Sequence, residues 1–310
     1  MTKKQIEANF LLLLTAIIWG FAFVAQRVGS EFMGVFAFNG IRFAVGALSL
    51  LPVIYFMERP RASNSTSLVK PTGEENKMLL TAGLACGFVL FSAASLQQFG
   101  IFFTTAGKTG FITALYIILV PIFGIFLKQK IGINVWIGVA LATIGLYLLC
   151  ITESFTIGLG DFVILIGAGF WASHILLINH FAGRVSTLRL AFIQFVVVSL
   201  LSFILSLIFE TTTLASIRLA MIPILYSGFL SIGTAFTLQI IGQKNAPPTL
   251  ASIILSMEAV FGAIGGWLIL GEVLSFRELI GCVIMFMAII ISQLPNKKRS
   301  GSAEISSNLH

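Results

Sequence analysis

Long apolar runs separated by short polar connections form the main pattern along this 310-residue chain. Ten runs can be placed, at residues 10–26, 36–56, 78–100, 109–127, 133–152, 161–181, 188–209, 219–242, 249–270 and 274–293. They have about the length of a transmembrane helix, which crosses about 30 Å of hydrocarbon with about 20 residues. The pattern predicts an all-α polytopic membrane protein with ten transmembrane helices.

Composition supports this interpretation and excludes several classes of protein. Hydrophobic residues make up 57% of the chain, charged residues make up 10%, and the mean hydropathy is +1.02. Soluble domains contain about 25% charged residues, so this chain lacks the charged surface of a soluble enzyme. Cys86, Cys150 and Cys282 each lie inside an apolar run, which is not the pattern of a disulfide framework or a metal site. No cofactor is expected.

Basic residues are distributed unevenly between alternate connections. The amino terminus, every second loop and the carboxyl tail contain 14 Lys and Arg residues, the opposite connections contain 4, and Arg42 lies within a span. Because cytoplasmic loops carry the excess of basic residues, both termini are predicted to be cytoplasmic in a multi-pass protein of the cell membrane. The same bias accounts for the net charge of +7. The expected partners are the lipid bilayer and a small-molecule solute, with no nucleic acid, while the choice between monomer and homodimer stays open.

The two halves of the chain resemble each other weakly. Matches occur in the same order, namely Trp19 with Trp171, Arg42-Phe43 with Gln194-Phe195, Leu96-Gln97-Gln98-Phe99-Gly100 with Leu238-Gln239-Ile240-Ile241-Gly242, Pro121 with Ala259, and Gly138 with Gly281. Each half contains five spans, and an odd number requires the second copy to enter the membrane from the opposite side. The sequence therefore predicts two inverted five-helix repeats, at residues 1–155 and 156–294, followed by a cytoplasmic tail at 295–310.

Polar side chains inside the spans are the candidate site residues, because a polar group in the membrane is costly unless it faces protein or water. The residues predicted to bind solute are Trp19, Arg42, Gln97, Tyr116, Trp171, His174, Gln194 and Gln239. Glu258 is the only acidic residue deep within a span, and it is the candidate for ion coupling. Pro121 interrupts the fourth run and predicts a kink there.

Each candidate has a structural alternative. Trp171 and His174 are one helical turn apart and could line a pocket, or they could pack between helices. Gln97 and Gln239 occupy the same position in the two repeats and suit either a pair of gates or simple helix-to-helix hydrogen bonds.

The two charged candidates leave further alternatives open. Glu258 could titrate during transport or could tie two helices together. Arg42 could neutralise an anionic substrate or could pair internally with Glu258.

Several motifs resemble those of the drug/metabolite transporter superfamily, specifically its EamA-type bacterial members. They are Ala16-Ile-Ile-Trp19-Gly20-Phe-Ala-Phe-Val24, Arg42-Phe43, Gly160-Asp161, and Leu268-Ile-Leu-Gly271-Glu272-Val-Leu-Ser275 followed by Gly281. The likeness covers about residues 8–293. It implies a secondary transporter with ten helices and a central cavity between the repeats, an architecture that in this family often exports amino acids, their derivatives or other small metabolites.

The function expected on these grounds is movement of a small organic metabolite, such as an amino acid, by alternating access between the repeats. A membrane-embedded enzyme is the first alternative, and the scarcity of Asp and His in the chain argues against it. A passive channel or a membrane protein without transport activity is the second, and internal symmetry does not separate it from a carrier.

Overall fold

A computed structural model describes residues 2–57, 73–103, 106–150, 158–270, 273 and 275–294 of the chain. The helices within these residues are α1 (Lys3–Ser30), α2 (Val35–Met57), α3 (Gly73–Gly100), α4 (Ala106–Ala114), α5 (Tyr116–Phe126), α6 (Ile133–Cys150), α7 (Leu159–Phe181), α8 (Thr187–Phe209), α9 (Leu214–Leu219), α10 (Met221–Leu225), α11 (Thr237–Gln243), α12 (Pro248–Leu255), α13 (Glu258–Gly265) and α14 (Phe276–Ser292). Two π-helical stretches, Tyr226–Phe236 and Gly266–Leu270, connect α10 to α11 and extend α13.

These elements correspond to the ten predicted spans. Within the described residues, eight segments are long and apolar enough to cross a membrane, and α4 with α5, α10 with α11, and α12 with α13 each form one of them. The shorter apolar helix α6 and the 17-residue helix α14 occupy the two remaining predicted spans. The all-helical prediction is therefore confirmed, and the described helices are consistent with ten spans. The motif at residues 270–272, most of the long second loop and the tail after residue 294 lie outside the described side chains.

The outer surface is apolar and much of the buried interior is polar, which is the arrangement that suits a lipid environment. Phe126 and Leu207 are 80% and 86% exposed, whereas Gln98, Gln194 and Gln239 are each at most 1% exposed. Water would disfavour such an exterior, but hydrocarbon does not. Several interior amides bond within the protein, as Gln97 does to Gln26 and Gln194 does to His174.

The fourth and ninth spans are both broken near their middle. At Leu115 the backbone N–H bonds to the Ile112 carbonyl at 3.2 Å, and at Met257 it bonds to the Ile254 carbonyl at 3.2 Å. Each of these hydrogen bonds joins a residue to the one three positions earlier, whereas an α-helix joins residues four positions apart, so each bond interrupts the regular α-helical pattern. The fourth span was predicted to kink at Pro121, and the break in fact precedes that proline by six residues.

The crossing of α6 and α14 shows that the repeats are inverted. A β-carbon at Gly138 would lie 3.0 Å from the Ala288 carbonyl oxygen, and one at Gly281 would lie 2.7 Å from the Gly145 carbonyl oxygen. Gly138, near the beginning of α6, thus lies beside Ala288, near the end of α14, whereas Gly145 lies beside Gly281, which is earlier in α14. The two helices are therefore antiparallel. Because Gly138 and Gly281 are repeat partners, a pseudo-twofold axis passes through this crossing.

The same axis relates α2 and α8. The Phe43 and Phe195 rings, which are repeat partners, lie 6.0 Å apart, and Ser199 Oγ donates a hydrogen bond to the Gly40 carbonyl at 2.9 Å. These contacts also run antiparallel along the two helices. In these two pairs, α6 with α14 and α2 with α8, corresponding helices of the two repeats therefore pack directly against each other in opposite directions.

Equivalent hydrogen bonds occur inside each repeat. Arg27 Nη1 donates to the Ile101 carbonyl at 3.2 Å, and Asn179 Nδ2 donates to the Gln243 carbonyl at 3.2 Å. Arg27 and Asn179 are 152 residues apart, which is the separation of Trp19 and Trp171. Ile101 and Gln243 are 142 residues apart, which is the separation of the paired glutamines in the third and eighth spans. The inverted symmetry thus extends to individual side chains.

The beginning of α1 and the end of α14 lie at the same face of the bundle. Asn9 Nδ2 donates to Gln293 Oε1 at 3.2 Å across this face. We call it the terminal face and call the other the distal face, where α1 ends and α2 begins. The assignment of the terminal face to the cytoplasm stays a prediction.

Candidate functional site

A small cavity lies between the repeats. Seven of the nine predicted site residues line it, namely Trp19, Arg42, Gln97, Tyr116, Trp171, Gln239 and Glu258. The volume in which the centre of a water molecule fits is about 40 Å³. Since one water needs roughly 10–15 Å³ by this measure, the cavity has room for only a few waters. We call this cavity the chamber, and in this conformation it has no room for a larger molecule.

An aromatic cluster forms one wall of the cavity. The Phe236 ring lies 4.6 Å from the Trp19 ring and is stacked on the Trp171 ring at 6.1 Å with an interplanar angle of 18°. The two tryptophans, which are repeat partners, are 6.3 Å apart. Together the three rings present a broad apolar surface to whatever occupies the chamber.

The π-helix of the eighth span positions Phe236. Side chains of α1 bond to its carbonyl groups, with Trp19 Nε1 donating to Ser231 at 3.2 Å and Thr15 Oγ1 donating to Ala235 at 3.2 Å. In π-helical backbone the hydrogen-bond register is altered, and such stretches occur frequently at functional sites. Neither the π-helix nor the role of Phe236 was predicted, because an apolar residue in an apolar run carries no distinguishing signal.

Gln97 is the centre of a buried polar network beside the cavity. Its Oε1 accepts from Trp171 Nε1 at 2.9 Å and from Thr113 Oγ1 at 3.5 Å, while its Nε2 donates to Gln26 Oε1 at 3.2 Å. Gln26 and Thr113 also line the cavity. The sequence interpretation missed both, although an amide at the end of the first run and a hydroxyl inside the fourth were the signals available.

Arg42 is buried without a counter-ion. It is 4% exposed, its Nε has no hydrogen-bond partner, and within the described residues it has no carboxylate close enough for an ion pair. Its guanidinium carbon lies 5.2 Å from the centre of the Phe38 ring and 5.5 Å from that of Phe43. These rings give it cation–π contacts but do not neutralise its charge. The alternative in which Arg42 pairs with Glu258 is not realised in this conformation.

Glu258 instead bonds to Tyr116. The Tyr116 hydroxyl donates to Glu258 Oε1 at 3.1 Å, and the two residues are 3% and 5% exposed. Each is the first residue after the break in its span, so the two interrupted helices meet at their breaks. Gln239 lines the cavity nearby, and its Oε1 is buried without a partner.

His174 and Gln194 lie outside the cavity lining. Both are fully buried, and His174 Nε2 is 3.0 Å from Gln194 Oε1. The imidazole stands edge-on to Trp171 at 6.2 Å and to Phe236 at 6.0 Å. In this conformation they bond to each other, and their contact with solute stays a prediction.

The pseudo-symmetry of the chamber is broken by side-chain size. The repeat partners, counted at the separations given above, are Ala22 with His174, Arg42 with Gln194, and Ala94 with Phe236. The first member of each pair lines the cavity; of the second members only Phe236 does, with its ring filling part of the space. We call this region the open half of the chamber, and the region occupied by His174, Gln194 and Phe236 the filled half. In the open half, the small side chains of Ala22 and Ala94 leave free space. At the equivalent positions of the filled half, the rings of His174 and Phe236 occupy that space.

The open half lies toward the distal face. Arg42 is seven residues after the first residue of α2, which begins at the distal face, and Gln194 is seven residues after the first residue of α8, which begins at the terminal face. The small free space of the chamber therefore lies on the distal side of the bundle centre, and side chains occupy the terminal side.

The chemistry available in the chamber suits binding. Aromatic faces, amide groups, one guanidinium and one carboxyl converge there, all within reach of a small solute. Within the described residues, no group of three or more His, Cys, Asp or Glu side chains is arranged to hold a metal ion. The arrangement can select and hold a small molecule by charge, hydrogen bonds and apolar contact.

Comparisons with known proteins agree with this architecture. The family model described as the EamA-like transporter family matches residues 6–151 and 158–294. An uncharacterized transporter of Archaeoglobus fulgidus is 29% identical over 297 residues, which cover 94% of this chain and 87% of the relative. The uncharacterized transporter YoaV of Bacillus subtilis is 21% identical over 93% of this chain and 97% of the relative.

A solved structure shows the same fold. A crystal structure with 15% sequence identity superposes with a TM-score of 0.76, covering 92% of this chain and 96% of that chain. The match of the family model across nearly all of the sequence confirms the resemblance inferred from the motifs. The chain belongs to the EamA-like transporter family and is a multi-pass membrane transporter.

Proposed function

We propose that the protein is a secondary transporter that exports a small organic metabolite, an amino acid or a related compound, by alternating access. The observation that carries the proposal is the central cavity, which both inverted repeats line at their pseudo-twofold axis. Inverted repeats have two nearly equivalent arrangements in which the halves exchange roles, and this exchange is the physical basis of alternating access.

The open and filled halves give this exchange a concrete form. In the present conformation the space lies toward the distal face and the terminal side is packed with His174, Gln194 and Phe236. Rocking one repeat against the other would close the space around Ala22 and Ala94 and separate the packed side chains. In the second conformation solute would then meet His174 and Gln194, which is the role first predicted for them.

Glu258 is the proposed coupling group. It is buried, lines the cavity and shares one hydrogen bond with Tyr116 where the two broken spans meet. A carboxyl at this position can bind a proton in one conformation and release it in the other if its surroundings change as the spans move. The basic-residue bias favours a cytoplasmic terminal face, and with that orientation export would carry solute from the filled side to the open side.

Reconstituted vesicles provide the test of transport. Uptake of each radiolabelled proteinogenic amino acid is measured with and without the same unlabelled compound inside the vesicles. The proposal expects at least one compound to show saturable uptake that internal compound accelerates. Linear, unsaturable uptake would support a channel, and absence of uptake across the panel would overturn the proposed substrate class. An Ala94→Phe variant, which fills the open half, serves as the inactive control.

Replacement of Glu258 by Gln tests the coupling. The amide retains an oxygen that can accept from Tyr116 but cannot exchange a proton. Uptake against an imposed pH gradient should lose its dependence on that gradient, while exchange of labelled for unlabelled solute should persist. Unchanged pH dependence in the variant would remove Glu258 from the coupling step.

A further inference from the structure

The open half of the chamber contains a positive charge that no described protein group neutralises. Arg42 is nine-tenths buried or more, its Nε has no partner, and its nearest aromatic neighbours, Phe38 and Phe43, contribute no acceptor atom. A buried charge is costly unless it is paired, and it persists at functional sites where a ligand completes it. The guanidinium lines the cavity, so a ligand in the cavity can reach it.

The other polar groups of the open half leave the guanidinium free. Gln97 donates to Gln26 and accepts from Thr113, and its oxygen also accepts from Trp171. The one carboxyl in the cavity lining belongs to Glu258, and it bonds to Tyr116. The one carboxylate of the lining is thus engaged elsewhere, and the neutral Gln239 Oε1, which has no partner, does not neutralise the charge of Arg42.

The size and charge of the chamber favour a carboxylate over other anions. A guanidinium presents parallel N–H donors that match the two oxygens of a carboxylate. A phosphate dianion would need more positive charge than one arginine supplies, and the lining contains an acidic residue in addition. An organic cation would be repelled by Arg42 in the part of the chamber where space is available.

The second repeat offers no equivalent anchor. The partner position of Arg42 is Gln194, which is fully buried and bonded to His174. The chamber therefore has one strong anion anchor, in its open half, beside the aromatic wall of Trp19 and Trp171.

We infer that the open half is a carboxylate subsite, in which Arg42 binds the carboxylate of the transported solute and excludes the matched amine and amide. The inference rests on the proposed transport function and narrows its substrate class. Recognition falls on the anionic end of the solute, while its apolar part lies against the tryptophan and phenylalanine rings. One anion is bound per transport event because only one repeat carries the arginine.

Binding to the purified full-length protein in detergent tests this subsite. Matched probes are acetate and acetamide, isocaproate and isocaproamide, L-leucine and L-leucinamide, and L-phenylalanine and L-phenylalaninamide, with isoamylamine as the cation. Tryptophan fluorescence reports binding because Trp19 and Trp171 line the cavity, and thermal stabilisation gives a second readout. For at least one pair, the Kd of the acid should be lower than the Kd of its amide by about 10-fold or more.

Two Arg42 variants separate recognition from folding. In Arg42→Gln, which copies the residue of the other repeat, the acid should bind as weakly as its amide and the affinity for the amide should be unchanged. Arg42→Lys should retain part of the preference for the acid, because it keeps the charge without the planar fork. Arg184→Gln is the matched control, since Arg184 is exposed and its Nη1 lies 3.1 Å from His180 Nε2 away from the cavity.

Several outcomes would overturn the subsite. They are equal affinity for acid and amide in every pair, binding of isoamylamine as tight as that of isocaproate, an acid preference that survives in Arg42→Gln, and absence of binding by all of the acids. Saturable, internally accelerated transport of amides would leave the proposed transport function standing while refuting the carboxylate subsite. Loss of all such transport, together with intact acid binding, would refute the transport function and leave the subsite standing.

Discussion

Truncation of Phe236 is the most informative change to the chamber wall. The side chain is 3% exposed, and its ring lies within about 6 Å of the rings of Trp19, Trp171, His174 and Phe195. Replacing a core phenylalanine by alanine costs about 3–5 kcal/mol. Each aromatic pair adds about 0.5–1.5 kcal/mol beyond area burial. The central position of the ring therefore places Phe236→Ala toward the upper part of the range.

Thermal unfolding in detergent measures the effect. A loss of about 4 kcal/mol lowers Tm by about 8 °C or more, taking about 2 °C per kcal/mol for a long chain. Phe229→Ala is the matched control, because Phe229 belongs to the same π-helix but is 49% exposed. Its Tm should change by no more than about 1 °C, as expected for a surface substitution of about 0.5 kcal/mol or less.

The same variant tests the broken symmetry of the chamber. Alanine at position 236 copies Ala94 in the other repeat, so the filled half gains free volume. Bulkier solutes should then bind better relative to small ones than they do in the unmodified protein. A Tm decrease no larger than that of the Phe229 control, or an unchanged size preference, would refute the assignment of Phe236 as the group that fills this half.

Two further changes test other contacts. Gly281→Ala places a β-carbon 2.7 Å from the Gly145 carbonyl and should lower stability by about 1–3 kcal/mol through overpacking. Gly169→Ala is the control, because its β-carbon would meet open space, and this variant should be as stable as the unmodified protein or more stable by up to about 1 kcal/mol. Equal Tm values for the Gly281 and Gly169 variants would contradict the close crossing of α6 and α14. Tyr116→Phe removes the donor to Glu258 and should cost about 1–3 kcal/mol in thermal unfolding. A loss below about 0.5 kcal/mol would indicate that this hydrogen bond is not maintained.

The helical architecture could be predicted because lipid imposes a simple rule on sequence. Spans must be long and apolar, and an odd number of them per repeat requires inversion, so weak matches such as Trp19 with Trp171 were sufficient to locate the halves. Intramembrane polarity also identified Arg42, Gln97 and Glu258 as cavity residues. At each of these positions, moving the polar side chain from water into the membrane is unfavourable, and this cost made the residue recognisable in the sequence.

The remaining features depend on tertiary contacts that leave no local trace. Phe236 is one of 29 phenylalanines, and only the packing of α1 against the π-helix assigns it to the chamber wall. The break in the fourth span is likewise at Leu115, six residues before Pro121, although Pro121 is the residue from which a kink was predicted. Whether Arg42 pairs with Glu258 was a question of distance between helices, which a sequence pattern does not contain.

Labelling of introduced cysteines from each side of the membrane tests the inverted chamber most directly. Ala22→Cys and His174→Cys, which are repeat partners in the open and filled halves, are placed singly in a background where Cys86, Cys150 and Cys282 are replaced by serine. A membrane-impermeant maleimide is then applied to one face of sealed vesicles at a time. The account predicts that the position-22 cysteine reacts from the distal face and the position-174 cysteine reacts from the terminal face as the protein cycles. Reaction of both cysteines from the same face, or failure of position 174 to react from either, would contradict it.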